Sequence, residues 1–277
     1  MSKLSIALVQ QSATQNLAEN VKKGLAAARR AAASGAKVVC FSELAFTPFY
    51  PQNPAADGVI DLAEEIPGPL TEVFSSLARE LGVVMVLNLF ERDGDRTFDS
   101  SPVIDADGQL LGVTRMVHIT DYPCFHEQDY YHPSASGAPV YNTAAGKVGV
   151  AICYDRHYPE YMRALALGGA EVVFIPQAGA ADEWPPGLFE AEVSVAAFQN
   201  GYFAALCNRV GAEPRLTFAG ESFVADPDGR VIARAGRGTE EILICELDMD
   251  RVEESHARRL FLRDRRPELY AEWLSRG

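Results

Sequence analysis

The chain has 277 residues, 48% of them hydrophobic, enough to bury roughly three quarters of the surface its unfolded form would expose, so a large core needs no covalent staple. With 25 basic against 38 acidic residues the net charge is −13, which argues against nucleic acid and anionic membranes, since both select a positive surface. Five cysteines (Cys40, Cys124, Cys153, Cys207, Cys245) are an odd count with no CxxC or Cys/His pair at metal spacing, so neither a disulfide framework nor a zinc site is suggested, and a reducing cytoplasm fits.

Taken in chain order, LSIALVQ (4–10) predicts a strand, an Ala-rich stretch over 16–34 a helix stopped by Gly35, and KVVCFSEL (37–44) a second strand. A helix near 71–81 and a strand VVMVLNLF (83–90) follow, then a strand VGVAIC (148–153), a helix over 158–167 and a strand EVVFIP (171–176). The alternation is α/β layering. ERDGDR (91–96), DADG (105–108) and DPDG (226–229) are hairpin signals between apolar runs, so the sheets should be mixed. No linker interrupts the pattern before Asp250, and an arginine-rich extension closes the chain. The expectation is one domain over 1–277, with about 255–277 as a C-terminal arm. Leu260, Phe261 and Leu262, apolar among arginines, predict that the arm packs on a second copy, giving a homodimer or larger. The N-terminus has no signal-type apolar run, and nowhere do about 18 apolar residues run together. A soluble, cytoplasmic protein with a small-molecule partner and no cofactor is expected.

Cys153 closes a buried strand where a helix begins, a place where backbone N–H groups lower a thiol pKa and make a nucleophile. The same position also suits an inert core cysteine. Glu43 ends the run VVCFSE, at the C-terminal end of a strand, where open α/β sheets place ligands. A carboxylate after so apolar a stretch needs a partner or a task. Glu127, in the aromatic segment PCFHEQDYY, is a second candidate carboxylate.

Together and in this order, FSELAFTPFYP, FHEQDYY and GVAICYDRHYPE resemble the nitrilase superfamily, the carbon–nitrogen hydrolases. NGYFAALCNRVG, FAGESFVADPDGRVIA and FLRDRRPELY extend the resemblance over nearly the whole chain. It implies a four-layer α-β-β-α sandwich of two mixed β-sheets, with Cys153 as nucleophile, Glu43 as general base and Glu127 orienting them. It also implies an oxyanion held by a lysine ammonium and by the backbone N–H after the cysteine, here that of Tyr154. TRMVHI, FHEQDYY and CYDRHYPE look closest to N-carbamoyl amino acid and N-carbamoyl-β-alanine amidohydrolases, so the implied substrate is a small amide or ureido acid, hydrolysed through a thioester acyl-enzyme.

The family lysine falls on Met116, and Lys3, Lys22, Lys23, Lys37 and Lys147 all lie elsewhere in the sequence. A thioether donates no hydrogen bond, and losing one oxyanion donor costs about 10²- to 10³-fold in rate. Without the cation, repulsion should raise the pKa of Glu43 or Glu127. His118, two residues beyond Met116 and so on the same face of a continuing strand, is a candidate substitute donor; the alternative is a packing histidine. Arg156 is a candidate for binding a substrate carboxylate, against a structural ion pair. Two functions therefore stand open: an amidase or carbamoylase, or a family member with altered or lost catalysis serving as a ligand-binding or regulatory protein.

Overall fold

A computed structural model describes residues 2–275, so Met1, Arg276 and Gly277 of the expected domain lie outside the described residues. Its strands are β1 (Lys3–Gln10), β2 (Val38–Phe41), β3 (Val84–Val86), β4 (Leu89–Asp93), β5 (Arg96–Ile104), β6 (Leu110–Arg115), β7 (Val140–Thr143) and β8 (Gly146–Val150). They continue as β9 (Val172–Gln177), β10 (Phe203–Asn208), β11 (Val210–Ala212), β12 (Thr217–Ala219), β13 (Phe223–Ala225), β14 (Val231–Arg234) and β15 (Glu241–Asp248). The helices are α1 (Leu17–Ala33), α2 (Pro69–Leu81), α3 (Pro159–Leu167), α4 (Leu188–Asn200), α5 (Asp250–Glu254) and α6 (Pro267–Leu274).

Two mixed sheets result. One runs β15-β1-β2-β3-β5-β4, with β6 also pairing with β5 over Ser100–Ile104; the other runs β14-β13-β10-β9-β8-β7. Both combine parallel ladders, such as β1 with β2 and β9 with β10, and antiparallel hairpins. Side-chain alternation along β1 sorts the layers. Ile6 and Leu8 enter an apolar layer shared with Val148, Val150, Val172 and Phe174 of the other sheet. Ala7 and Val9 instead meet Ala27, Ala28 and Ala31 of α1 and Phe74 of α2. On the far side α3 and α4 cover the second sheet through Met162, Leu165, Val193 and Ala197. The order is helix, sheet, sheet, helix, as the family resemblance implied.

Local chemistry sets the element ends. The Asn16 side chain accepts the Glu19 N–H (3.3 Å) and caps α1. Gly82 and Gly201 end α2 and α4 in the left-handed conformation that a side chain would disfavour. The predicted strand over 83–90 is broken at Leu87 and Asn88 into β3 and β4. Asn88 is fully buried; its side chain accepts the Leu44 N–H (2.7 Å) and donates to Asp99 (2.5 Å) and Ser101 (3.1 Å). The chain after α5 stays attached to the core, since Ser255 and Ala257 are buried and Arg258 donates to the Ala170 carbonyl (2.6 Å). No helix among the described residues is long and apolar enough to cross a membrane.

Candidate active site

Glu43 lies two residues beyond the end of β2, followed by Leu44 at φ +44°. Such a conformation costs on the order of 1–3 kcal/mol for a branched residue and persists only where surroundings impose it. Here they do. The buried guanidinium of Arg209, just beyond β10, donates to the carbonyls of Glu43 (3.0 Å), Leu44 and Thr47 (3.1 Å) and pairs with Glu213. Asn88 holds the Leu44 N–H from the other side.

Cys153 lies three residues beyond β8, on the opposing sheet, at φ +41°, and opens a 3-10 turn over Cys153–His157. Arg156 fixes that turn: its Nη1 donates to the Cys153 carbonyl (2.8 Å) and to Gln177 Oε1 (2.7 Å), its Nε lies 3.2 Å from Glu192, and Phe189 covers the guanidinium. Glu127 opens another 3-10 turn, in the aromatic loop where Phe125 packs on Phe49 and Tyr122. One ligand atom from each of Glu43, Glu127 and Cys153 lies within 4.8 Å of the other two. Glu43 and Glu127 are 0% exposed and Cys153 6%.

Met116 is fully buried in the same apolar layer as Cys153, and its N–H donates to the Asp99 carbonyl (2.9 Å). Among the described residues no lysine is buried. The structure adds a third acid that sequence inspection missed. Asp99, in the middle of β5, is 0% exposed; Asn88 donates to one oxygen (2.5 Å), while the other has no donor. Both carboxyl oxygens of Glu43 and of Glu127 lack a donor; the Thr120 N–H points toward Glu127 without reaching hydrogen-bond geometry.

Two charges about 5 Å apart repel by roughly 3 kcal/mol at an effective dielectric of about 20, more than two pKa units, so these acids cannot all be ionised at neutral pH. Burial, then the Glu127 charge, push Glu43 up to about 8. Burial and Glu43 push Asp99 well above the carboxylate range, and burial and Asp99 do the same to Glu127. The Cys153 thiol is also raised, by burial and then by Glu43 and Glu127, which outweigh Arg156 and the Ala178 N–H. The expected low thiol pKa is thereby corrected: the thiol keeps its proton at rest and needs a base.

A stability signature follows. Glu43 ionises near 4.5 in the unfolded chain and near 8 in the folded one, so its contribution is fully present below about pH 4.5 and is lost as pH rises to about 8. Glu43→Gln should remove this loss and raise the melting temperature at pH 8 by on the order of 10 °C, with little change at pH 5. Thermal unfolding of both proteins at the two pH values checks it; equal melting temperatures at pH 8 would mean that Glu43 is compensated.

His118 and Arg156 stand elsewhere than expected. β6 ends at Arg115, so strand alternation does not carry His118 to the face of Met116. Its Nδ1 lies 2.6 Å from Asp155 and its ring stacks on Tyr158 at 3.5 Å, which corrects the substitute-donor assignment to the packing alternative. Arg156, only 2% exposed at its side chain, is occupied by Glu192, Gln177 and the Cys153 carbonyl, the structural ion pair rather than a receptor for substrate. Tyr154 follows Cys153 in the turn, its ring against His157 and Tyr158. Nearby, Glu183, Trp184 and Phe189 line a hollow at the end of β9.

A family profile described as carbon-nitrogen hydrolase matches residues 5–257, and the chain belongs to that family. It is a hydrolase of amide carbon–nitrogen bonds. It is 34% identical over 281 residues to an N-carbamoylputrescine amidase of Solanum lycopersicum, covering 96% of this chain and 93% of that protein. The crystal structure of a carbon-nitrogen hydrolase from Helicobacter pylori G27 superposes with a TM-score of 0.92 at 31% identity, over 99% of both chains. An amidase from Nesterenkonia sp. AN1, described with acrylamide added at its active site cysteine, superposes with a TM-score of 0.84 at 25% identity, over 98% of this chain and 99% of that one.

Proposed function

We propose that the protein is a cysteine-dependent amidase that hydrolyses a small linear amide or ureido acid through a thioester on Cys153. The observation that carries this reading is the convergence of Cys153, Glu43 and Glu127 within 4.8 Å, in a buried setting between two sheets. Glu43 takes the thiol proton as sulfur adds to the carbonyl carbon, then returns it to the departing nitrogen. Water, deprotonated by Glu43, releases the acid and the thiol. Glu127 faces both groups and orients them, and the N–H of Tyr154 is one donor to the oxyanion.

The test is an intact-protein mass spectrum after incubation with a panel of primary amides, ureido acids and nitriles. An acyl adduct on Cys153 together with released ammonia or amine supports the proposal. A folded protein that binds panel members without any adduct or turnover would instead favour the second reading, a ligand-binding member of the family, which a methionine at the position of the family lysine recommends.

The reading includes a cytoplasmic location, where five free cysteines stay reduced, and a homo-oligomer. Phe198 on α4 packs on Phe261 (5.4 Å), yet both remain 37% exposed beside Val195 and Leu260, an apolar patch suited to a second copy. Deleting residues from Leu260 onward should lower the oligomer mass in light scattering, and an unchanged mass would count against the arm.

A further inference from the structure

Tyr131 is 4% exposed, and its hydroxyl has no hydrogen-bond partner. The other buried tyrosines all have one: Tyr130 donates to the Asn53 carbonyl (3.1 Å), Tyr161 to that of Val150 (3.1 Å), Tyr202 to that of Met162 (3.5 Å), and Tyr141 meets Thr114 (3.1 Å). A buried hydroxyl left without a partner is costly and calls for a reason. The surroundings supply one. The ring is held in an aromatic cluster, 5.5 Å from Phe90, and the backbone N–H is tied to the Glu127 carbonyl (2.9 Å). Tyr131 shares a buried cluster with Leu44, the neighbour of Glu43, and with Phe125, and burial followed by the charges of Asp99, Glu43, Glu127 and Cys153 holds the proton on its phenol.

We propose that the Tyr131 hydroxyl is the hydrogen-bond donor to the oxyanion, in the role that a lysine ammonium would take were Met116 a lysine. The inference rests on Cys153 being the nucleophile. Arg156, Arg209 and the Nδ1 of His118 are each engaged by protein groups, whereas the Tyr131 phenol is not. When sulfur adds, the C–S bond forms, the carbonyl π pair moves to oxygen, and the thiol proton passes to Glu43. Tyr131 keeps its own proton and shares it with the new oxyanion. When the C–N bond breaks, the pair returns to re-form the carbonyl and the Glu43 proton leaves on nitrogen.

Tyr131→Phe removes one oxygen that no protein group uses, so the variant should fold with an unchanged or higher melting temperature. On the substrate found with the amide panel, kcat should fall by about 10²- to 10³-fold, with KM and the rate of Cys153 alkylation by iodoacetamide little altered. Met116→Lys in the Tyr131→Phe background should restore the lost rate. Affinity for a small aldehyde, which forms a tetrahedral adduct with the thiol, should fall by the same factor as kcat/KM. A Tyr131→Phe protein that keeps wild-type kcat and aldehyde affinity would overturn the proposal. A Cys153 that forms no adduct with iodoacetamide or aldehyde in either protein would overturn the nucleophile assignment beneath it.

Discussion

Cys153→Ala is expected to fold and to lose hydrolysis by roughly 10⁴-fold or more, the scale on which loss of a covalent nucleophile acts in other hydrolases. Cys153 also packs in the apolar layer, but replacing a thiol by a methyl removes one atom and leaves no polar group stranded. Its positive φ suits alanine no worse than cysteine, so the turn over Cys153–His157 should keep its shape, held by Arg156. The loss would therefore report chemistry rather than folding. Cys124, a partly exposed thiol also at positive φ, is the control: Cys124→Ala should hydrolyse at the wild-type rate. Steady-state rates of the two variants beside their circular dichroism decide it. Activity retained in Cys153→Ala, or lost in Cys124→Ala, would move the nucleophile elsewhere.

Met116→Lys is the second large effect. Met and Lys have similar length, so the stem should fit the buried site without overpacking, and the ammonium would meet carboxyl groups rather than stand alone. One cation among Glu43, Asp99 and Glu127 lowers the pKa of each, so the variant should gain stability at pH 8 over pH 5 relative to the wild type. For simple amides or ureido acids the rate should rise by up to the 10²- to 10³-fold of one oxyanion donor. The full factor is expected where Tyr131 has been replaced by Phe, since there the lysine substitutes for a missing donor. Rates on the amide panel and melting curves at both pH values check it. A folded variant that is slower on every substrate would mean that the methionine serves a chemistry the ammonium obstructs.

The strand ends that carry Glu43 and Cys153 were legible because each is a long apolar run closed by a polar or reactive residue, a pattern that survives any packing. The two-sheet layering came from the family resemblance, since periodicity alone cannot say which runs share a sheet. Where a side chain replaces the backbone ladder, as at Asn88, an apolar run no longer means a continuous strand. His118 was misplaced for a related reason: alternation holds only while the strand does, and β6 stops at Arg115. Asp99 carried a weak local signal, an acid inside TFDSSPVI, where β-strands disfavour Asp. Tyr131 and Arg209 carried none. One matters through the partner its hydroxyl lacks, the other through three carbonyls far away in sequence, and both facts exist only once the chain has folded.

Glu43 hangs from one sheet and Cys153 from the other, and the two supports meet through interlocked side chains and the Arg209 clamp on the Glu43 turn. The gap between base and nucleophile is thus a caliper reading of how the sheets are seated. Close-packed layers do not slide smoothly, and a misplacement of about 1 Å can cost on the order of 10²-fold in rate. Residues such as Val150 and Phe174, fully buried in the layer between the sheets, would then set the tempo of hydrolysis through their volume. Under mild denaturant the enzyme should fall silent while its helices and strands are still intact.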